Sequence, residues 1–180
     1  MAGFQTSIKY KIYNTEFVHG VKMKKVKILI MDVDGTLTNG SIYMGDKGEV
    51  FKAFHVKDGY AITHFLKKNG ITPVIMTGRR SEITTRRCEE LNIKLVYQDI
   101  QDKKQQLLFI ADSQEIELDE IAYIGDDLND LECMNMVGVT GCPSDSCDEV
   151  KKIAHYVTRK RGGEGAVREF IEWLIERERK

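Results

Sequence analysis

The chain has 180 residues, of which 42% are hydrophobic and 31% charged, and its formal net charge is −1. This composition is typical of a single globular domain. The near-neutral charge provides no basic field for nucleic acid, and no apolar run approaches the roughly 20 residues that cross a bilayer. The N-terminus also lacks the apolar centre of a secretory signal. We therefore expect a cytoplasmic protein that binds neither nucleic acid nor a membrane.

Residues 1–24 are predicted to be an N-terminal extension, and residues 25–180 a single domain without an internal linker. The four cysteines, Cys88, Cys133, Cys142 and Cys147, form no CxxC pair and have no zinc-type spacing with histidine. We therefore expect reduced thiols rather than a metal or disulfide framework.

In the first half of the domain, the sequence pattern predicts a strand, a hairpin, a helix and a second strand. The apolar run at 27–31 is typical of a buried strand, and residues 41–45 and 49–55 flank a turn at Asp46-Lys47-Gly48, which predicts a β-hairpin. Asp58 is predicted to cap a helix over 60–69 that ends at Gly70. A second buried strand is expected over 72–76.

The second half continues the alternation of helices and strands. Ser81 is predicted to open a helix that ends near Leu91. The remaining predicted elements are strands at 94–97, 121–124, 137–140 and 154–157, and helices at 103–113, 128–136, 146–152 and 165–179. Such alternation indicates an α/β fold, with a parallel sheet covered by helices on both faces.

Groups able to bind metal and phosphate follow four predicted strands. Asp32 and Asp34 come directly after the first strand. Residues two apart in an extended chain point the same way, so these two carboxylates are expected to lie side by side. Their charges repel unless a hard cation such as Mg²⁺ lies between them. The other groups are Thr77-Gly78-Arg79, Lys103 and Gly125-Asp126-Asp127-Leu128-Asn129-Asp130. Ligands of open α/β sheets bind beyond the carboxyl ends of the strands, where all of these residues are expected.

In this order, the motifs resemble those of the haloacid dehalogenase superfamily. Asp32-Val33-Asp34-Gly35-Thr36 matches its DxDGT motif, Thr77 its strand-end hydroxyl, Lys103 (with Lys104 as the alternative) its lysine, and Gly125 to Asp130 its GDDxxD motif. The resemblance implies a three-layer, Rossmann-like parallel sheet. Neither the segment from Asp34 to Thr77 nor the one from Thr77 to Lys103 has room for a cap domain, so we expect a β-hairpin flap and no cap.

The resemblance also implies the roles of the catalytic residues. Asp32 is expected to attack phosphorus and form an aspartyl-phosphate, while Asp34 protonates the leaving oxygen and then activates water. Thr77 and Lys103 are expected to bind the phosphoryl oxygens. The expected Mg²⁺ ligands are the Asp32 carboxylate, the Asp34 backbone carbonyl and Asp126. Asp127 is expected to orient Lys103. Asp130 is expected to support the residues that bind the metal and the phosphate without binding either itself.

At a finer level, the chain resembles the capless, tetrameric 3-deoxy-D-manno-octulosonate 8-phosphate (KDO 8-phosphate) phosphatases of lipopolysaccharide biosynthesis. The shared segments include Phe54 to Gly59, Tyr97-Gln98 and Gly162 to Glu169. In that family the hairpins build the tetramer core and the C-terminal segment reaches a neighbouring active site. The expected substrate-binding residues are Thr36, Gly78, Arg79, Arg87, Lys57 and Arg168.

Three alternatives remain open at this stage. The first is a phosphatase for nine-carbon sugar acids, 2-keto-3-deoxynononate or N-acylneuraminate 9-phosphate, although Arg79 and Glu90 depart from that branch. The second is a weakly active regulatory or assembly domain of sialate metabolism. The third is a broad-specificity or nucleotide phosphatase, against which the glycine-rich segment from Gly162 to Arg168 argues.

Overall fold

The computed structural model describes residues 24–179, so the predicted extension at 1–24 lies almost wholly outside the described residues. Six parallel strands form one sheet in the order β5-β4-β1-β6-β7-β8, and two further strands form an antiparallel hairpin. The sheet strands are β1 (Ile28–Met31), β4 (Thr72–Met76), β5 (Leu95–Tyr97), β6 (Ile121–Ile124), β7 (Val139–Cys142) and β8 (Tyr156–Val157). The predicted α/β fold is confirmed.

Helices cover both faces of the sheet. Their bounds are α1 (Val56–Tyr60), a π-helical segment (Ala61–Leu66), α2 (Lys67–Asn69), α3 (Glu82–Glu90), α4 (Lys103–Ser113), α5 (Leu131–Met134), α6 (Asp148–Ile153) and α7 (Ala166–Glu178). Short 3₁₀ turns occupy Leu118–Glu120 and Leu128–Asp130. Within residues 24–179, no helix is long and apolar enough to cross a membrane.

The central strand β1 contributes side chains to two hydrophobic cores. Leu29 and Met31 pack with α7 and the helix over 56–69, whereas Ile28 and Ile30 pack with α4 and α5 on the opposite face. This division follows from the two-residue period of a strand. Because both faces of the sheet are covered, the sequence of β1 is a continuous apolar run and does not alternate between apolar and polar residues.

The predicted hairpin is present as β2 (Tyr43–Gly45) and β3 (Gly48–Phe51). The hairpin and the helix over 56–69 fill the segment between the first two sheet strands, and α3 and β5 fill the segment before α4. The described residues therefore contain no cap domain, as predicted.

Several elements differ from the sequence prediction. The helix predicted at 128–136 is a 3₁₀ turn followed by the short α5, and the strand predicted at 154–157 comprises only Tyr156–Val157. The helix predicted over 60–69 begins earlier, at Val56, and Asp58 lies inside its first turn instead of capping it. The strand predicted at 137–140 runs from Val139 to Cys142. Gly138 belongs to the preceding turn, where its N–H donates to the carbonyl of Leu118. The apolar run from Val137 did not fix the strand boundary because it continues through both the turn and the strand.

Candidate active site

The carboxyl ends of three adjacent strands lie level with one another. Met31 pairs with Ile75 on β4 and with Ile124 on β6. The residues that follow these strands, Asp32, Thr77 and Gly125-Asp126, therefore emerge at the same edge of the sheet. The sequence predicted this convergence from the parallel alternation alone.

Lys103 joins the cluster from the first turn of α4. Its side chain is only 3% exposed, and its ammonium lies 2.7 Å from Asp32 Oδ1 and 2.6 Å from Asp130 Oδ1. Asp102 caps α4 by accepting a hydrogen bond from Gln105 N at 2.9 Å, which fixes the start of the helix and the position of Lys103. The adjacent Lys104 is instead exposed beside Glu132.

Asp130 is the residue that holds Lys103 in place. Its Oδ1 also accepts a hydrogen bond from the Tyr123 hydroxyl at 2.6 Å, and its Oδ2 accepts one from Asp126 N at 3.0 Å. From the sequence, Asp127 was predicted to orient Lys103. This was wrong, because Asp127 is exposed and its Oδ1 accepts a hydrogen bond from Leu128 N at the start of the 3₁₀ turn.

Asp126 packs tightly against the loop after β1. Its Oδ1 accepts a hydrogen bond from the Thr36 hydroxyl at 2.8 Å. Gly35 has φ +99°, and a Cβ there would lie 2.0 Å from Asp126 Oδ2, so only glycine allows this approach. Thr36 was predicted to bind substrate, but it is fully buried and its hydroxyl is directed at Asp126. Thr36 thus positions a carboxylate.

Burial governs the electrostatics of this cluster. It raises the pKa of Asp32 to about 7, opposed by Lys103 and reinforced by Asp130. Burial likewise raises the pKa of Asp126 to about 7, against the hydrogen bond from Thr36. Burial alone would lower the pKa of Lys103, but Asp32 and Asp130 raise it above its usual range. Three carboxyl groups, those of Asp32, Asp126 and Asp130, surround this one ammonium, so their full ionisation leaves negative charge that Lys103 alone does not compensate.

A divalent cation fits this excess of negative charge. Asp32, Asp126 and Asp130 each offer a carboxylate oxygen, and these atoms lie within 4.8 Å of one another. Both oxygens of Asp130 already accept hydrogen bonds, so Asp32 and Asp126 are the carboxylates available to a metal. Oxygen ligands of this kind suit Mg²⁺.

Thr77 is buried at the end of β4, and its backbone is fixed on both sides. Its N–H donates to the Tyr97 carbonyl at 3.0 Å, and its carbonyl accepts from Ile100 N at 3.2 Å. Gly78 and Arg79 follow it at the partly exposed rim of the site. Arg79 Nε lies 3.9 Å from Asp34 Oδ2, which places the guanidinium beside the catalytic loop.

The hairpin contributes two charged residues that the sequence analysis missed. The Lys52 side chain is 1% exposed, and its ammonium contacts Asp34 Oδ1 and lies 3.0 Å from Glu49 Oε1. Glu49 in turn accepts a hydrogen bond from the Ser81 hydroxyl and lies 3.5 Å from Arg79 NH2. No local motif marks these residues; only the folding of the hairpin over the sheet edge brings them to Asp34.

The remaining predicted substrate residues share no contact with the carboxylate cluster among residues 24–179. Arg87 lies over the Phe54 ring and pairs with Glu90 at 2.7 Å. Arg168 lies over the Phe65 ring and pairs with Glu172 at 2.7 Å. Lys57 is exposed in the first turn of α1.

The glycine-rich segment packs on the catalytic loop of its own chain. Gly163 N donates to the Thr36 carbonyl at 3.2 Å, and a Cβ at Gly162 would lie 1.8 Å from the Gly35 carbonyl oxygen. The chain then continues into α7, which packs against the helix over 56–69. These contacts support the catalytic loop of the same chain, and the expectation that the C-terminal segment reaches a neighbouring active site stays a prediction.

Comparison with protein families gives an independent identification of the family and the fold. Residues 96–171 match the model of haloacid dehalogenase-like hydrolases. The chain is 39% identical over 150 residues to the KDO 8-phosphate phosphatase of Yersinia pestis, covering 83% of this chain and 80% of that protein. It is 40% identical over 154 residues to the same enzyme from Escherichia coli K12, covering 86% and 81%.

Solved structures agree with this relationship. The crystal structure of the Yersinia pestis enzyme superposes with a TM-score of 0.82 over 86% of this chain and 83% of that one. The Moraxella catarrhalis KDO 8-phosphate phosphatase, in complex with a magnesium ion, a phosphate ion and KDO, gives a TM-score of 0.80 at 39% identity, covering 84% and 86%.

Proposed function

Since this chain belongs to the haloacid dehalogenase-like phosphatase family that includes the KDO 8-phosphate phosphatases, we propose that it hydrolyses KDO 8-phosphate to KDO and inorganic phosphate. The family membership makes it a phosphoric monoester hydrolase. The observation that carries the proposal is the buried cluster of Asp32, Asp126 and Asp130 around Lys103. Such a cluster combines a nucleophile, a cation for phosphoryl oxygens and paired carboxylates for a metal.

In the proposed mechanism, an Asp32 carboxylate oxygen attacks phosphorus and the bond from phosphorus to the sugar oxygen breaks. Lys103 holds Asp32 Oδ1 at 2.7 Å, which orients the carboxylate for attack. Asp34 gives a proton to the leaving oxygen. Its carboxylate then takes a proton from water, which attacks the acyl phosphate and releases phosphate and Asp32.

The proposed cofactor is Mg²⁺, held by the carboxylates of Asp32 and Asp126 and the backbone carbonyl of Asp34. When bound, it offsets negative charge on the nucleophile and the phosphoryl group. Thr77 and Lys103 provide a hydroxyl and an ammonium for the phosphoryl oxygens, since both end at the same sheet edge as Asp32.

Gly78 and Arg79 are proposed to contact the rest of the substrate. Arg79 is 41% exposed beside the site, so its planar guanidinium is available to the substrate's carboxylate. We do not extend this role to Thr36, Arg87, Lys57 or Arg168, whose positions or contacts lie elsewhere. Relative rates on eight- and nine-carbon sugar-acid phosphates would separate the octulosonate assignment from the nononate alternative.

We also propose a homotetramer assembled through the hairpin. Four apolar side chains of the hairpin region are between 45% and 65% exposed, namely Ile42, Met44, Val50 and Phe51. A cluster of this kind on one element is typical of a protein interface. A second copy of the chain is the proposed partner, because a capless site needs another surface to enclose its substrate.

Phosphate release from KDO 8-phosphate, with and without Mg²⁺, tests the activity. We expect Asp32→Asn to abolish turnover and the acid-stable incorporation of labelled phosphate into the protein, because an amide cannot act as the nucleophile. Asp127→Asn is the matched control, since Asp127 is exposed and asparagine caps helices equally well. Substantial turnover by the Asp32 variant would exclude the covalent mechanism.

A further inference from the structure

Lys52 is a buried cation that the mechanism above does not use. It follows β3 directly, and its side chain is 1% exposed. Burying an ammonium is costly unless it is paired and hydrogen-bonded. Lys52 is paired twice: its Nζ contacts Asp34 Oδ1 and lies 3.0 Å from Glu49 Oε1.

Glu49 connects Lys52 to the rigid part of the fold. Its Oε2 accepts a hydrogen bond from the Ser81 hydroxyl. Ser81 is the N-cap of α3, and its own N–H donates to Gln98 Oε1 at 2.8 Å. The ammonium of Lys52 is therefore fixed relative to the sheet edge, although it comes from a hairpin outside the sheet.

The two oxygens of Asp34 have different surroundings. Oδ1 is held by Lys52, whereas Oδ2 is buried and accepts no hydrogen bond from the part of the chain that the structure describes. Arg79 Nε lies 3.9 Å from Oδ2, which is beyond hydrogen-bonding distance. Among the described residues, Lys52 is thus the hydrogen-bond partner that fixes the Asp34 side chain.

We propose that Lys52 is a positioning residue: by anchoring Asp34 Oδ1, it fixes the carboxyl group that gives its proton to the leaving oxygen of the substrate. This inference rests on the proposed function, in which Asp34 donates the proton that the leaving alkoxide takes when its bond to phosphorus breaks. It assigns the hairpin a part in the chemistry in addition to its part in assembly.

The test compares two phosphate esters that differ in their need for that proton. A sugar alkoxide must be protonated as it leaves, whereas nitrophenolate leaves without protonation. In Lys52→Met, we expect the first-turnover rate of phosphoenzyme formation from KDO 8-phosphate to fall about 100-fold, the scale of general acid catalysis. The burst of nitrophenolate from p-nitrophenyl phosphate should change by no more than a few-fold.

Two further variants keep the test decisive. Glu49→Gln leaves an acceptor for Ser81 but removes one charge partner of Lys52, so it should show the same selective loss on a smaller scale, even if Lys52→Met does not fold. Lys47→Met, exposed in the turn of the same hairpin, should leave both rates unchanged.

Equal losses on the two esters, or no loss on either, would overturn the inference, because a lysine that only holds the hairpin in place affects both reactions alike. A wild-type protein that forms no phosphoenzyme from any sugar-acid phosphate would overturn the proposed function and this inference together. Activity of the wild type with equal losses in the variants would overturn the inference alone.

Discussion

At the scale of single residues, the site depends on which carboxylate holds which partner. Asp126 and Asp130 are close in sequence, yet Asp126 faces Gly35 and Thr36 while Asp130 binds Lys103 and the Tyr123 hydroxyl. The 3₁₀ turn at Leu128–Asp130 brings Asp130 back toward the strand end. Carboxylates of one motif thereby separate into one available to a metal and one that orients the lysine.

The contrast between Asp130 and Asp127 can be tested directly. We expect Asp130→Asn to lower the rate of phosphate release about 10- to 100-fold, because it replaces an anionic acceptor of Lys103 by a neutral amide. Asp127→Asn should retain nearly full activity, since the exposed side chain only caps a turn. Equal losses in the two variants would contradict the role assigned to Asp130.

At the scale of secondary-structure elements, Asp58 links two helices. Its Oδ1 accepts a hydrogen bond from Arg168 N at 2.7 Å, in the first turn of α7. The N-cap of α7 is Gly165, which has no side chain to cap the helix. Asp58 therefore supplies the cap from another helix, and it does so next to the glycine-rich segment that packs on the catalytic loop.

This cap makes stability depend on pH. Burial raises the pKa of Asp58 to about 6, whereas the unfolded value is 3.8. The folded state therefore binds more protons than the unfolded state between about pH 4 and pH 6, and stability falls as pH rises through that window. Relative to Asp58→Asn, the wild type should lose at most about 3 kcal/mol of unfolding free energy from pH 4 to above pH 6.

Urea unfolding of both proteins across that range measures the difference. Asparagine keeps an oxygen that accepts a hydrogen bond from Arg168 N, but it does not titrate. The pH-dependent change in unfolding free energy of the wild type, minus that of the variant, therefore separates the contribution of Asp58 from that of the other carboxylates. Parallel stability curves for the two proteins would show that the carboxyl of Asp58 is not perturbed in the folded state.

At the scale of the whole molecule, one sheet edge organises the catalytic groups, and the hairpin stands beside it with its apolar side chains exposed. We expect Val50→Asp to shift the sedimentation coefficient from that of a tetramer to that of a smaller species, because a buried charge at an interface is strongly unfavourable. The matched control is Leu108→Asp on α4, where the wild-type leucine is similarly exposed at 45% and should not affect assembly. A wild-type protein that sediments as a monomer would contradict the proposed tetramer.

Local sequence patterns were enough to predict the parallel fold and the groups that follow its strands. Buried strands of a βαβ fold are continuous apolar runs, and parallel strands end at a common edge, so Asp32, Thr77 and Asp126 could be placed together from local patterns. The bounds of α4 and the cap at Ser81 followed from equally local signals.

Contacts between elements distant in sequence are visible only in the folded chain. There, Lys103 binds Asp130, and Asp58 accepts a hydrogen bond from the first turn of α7. Lys52 contacts both Asp34 and Glu49. These side chains have no distinctive spacing along the chain, and their partners depend on how the hairpin and helices pack against the sheet. Local patterns carry backbone preferences and periodicity, whereas a long-range ion pair is specified only once the packing of the whole fold brings its two charges together.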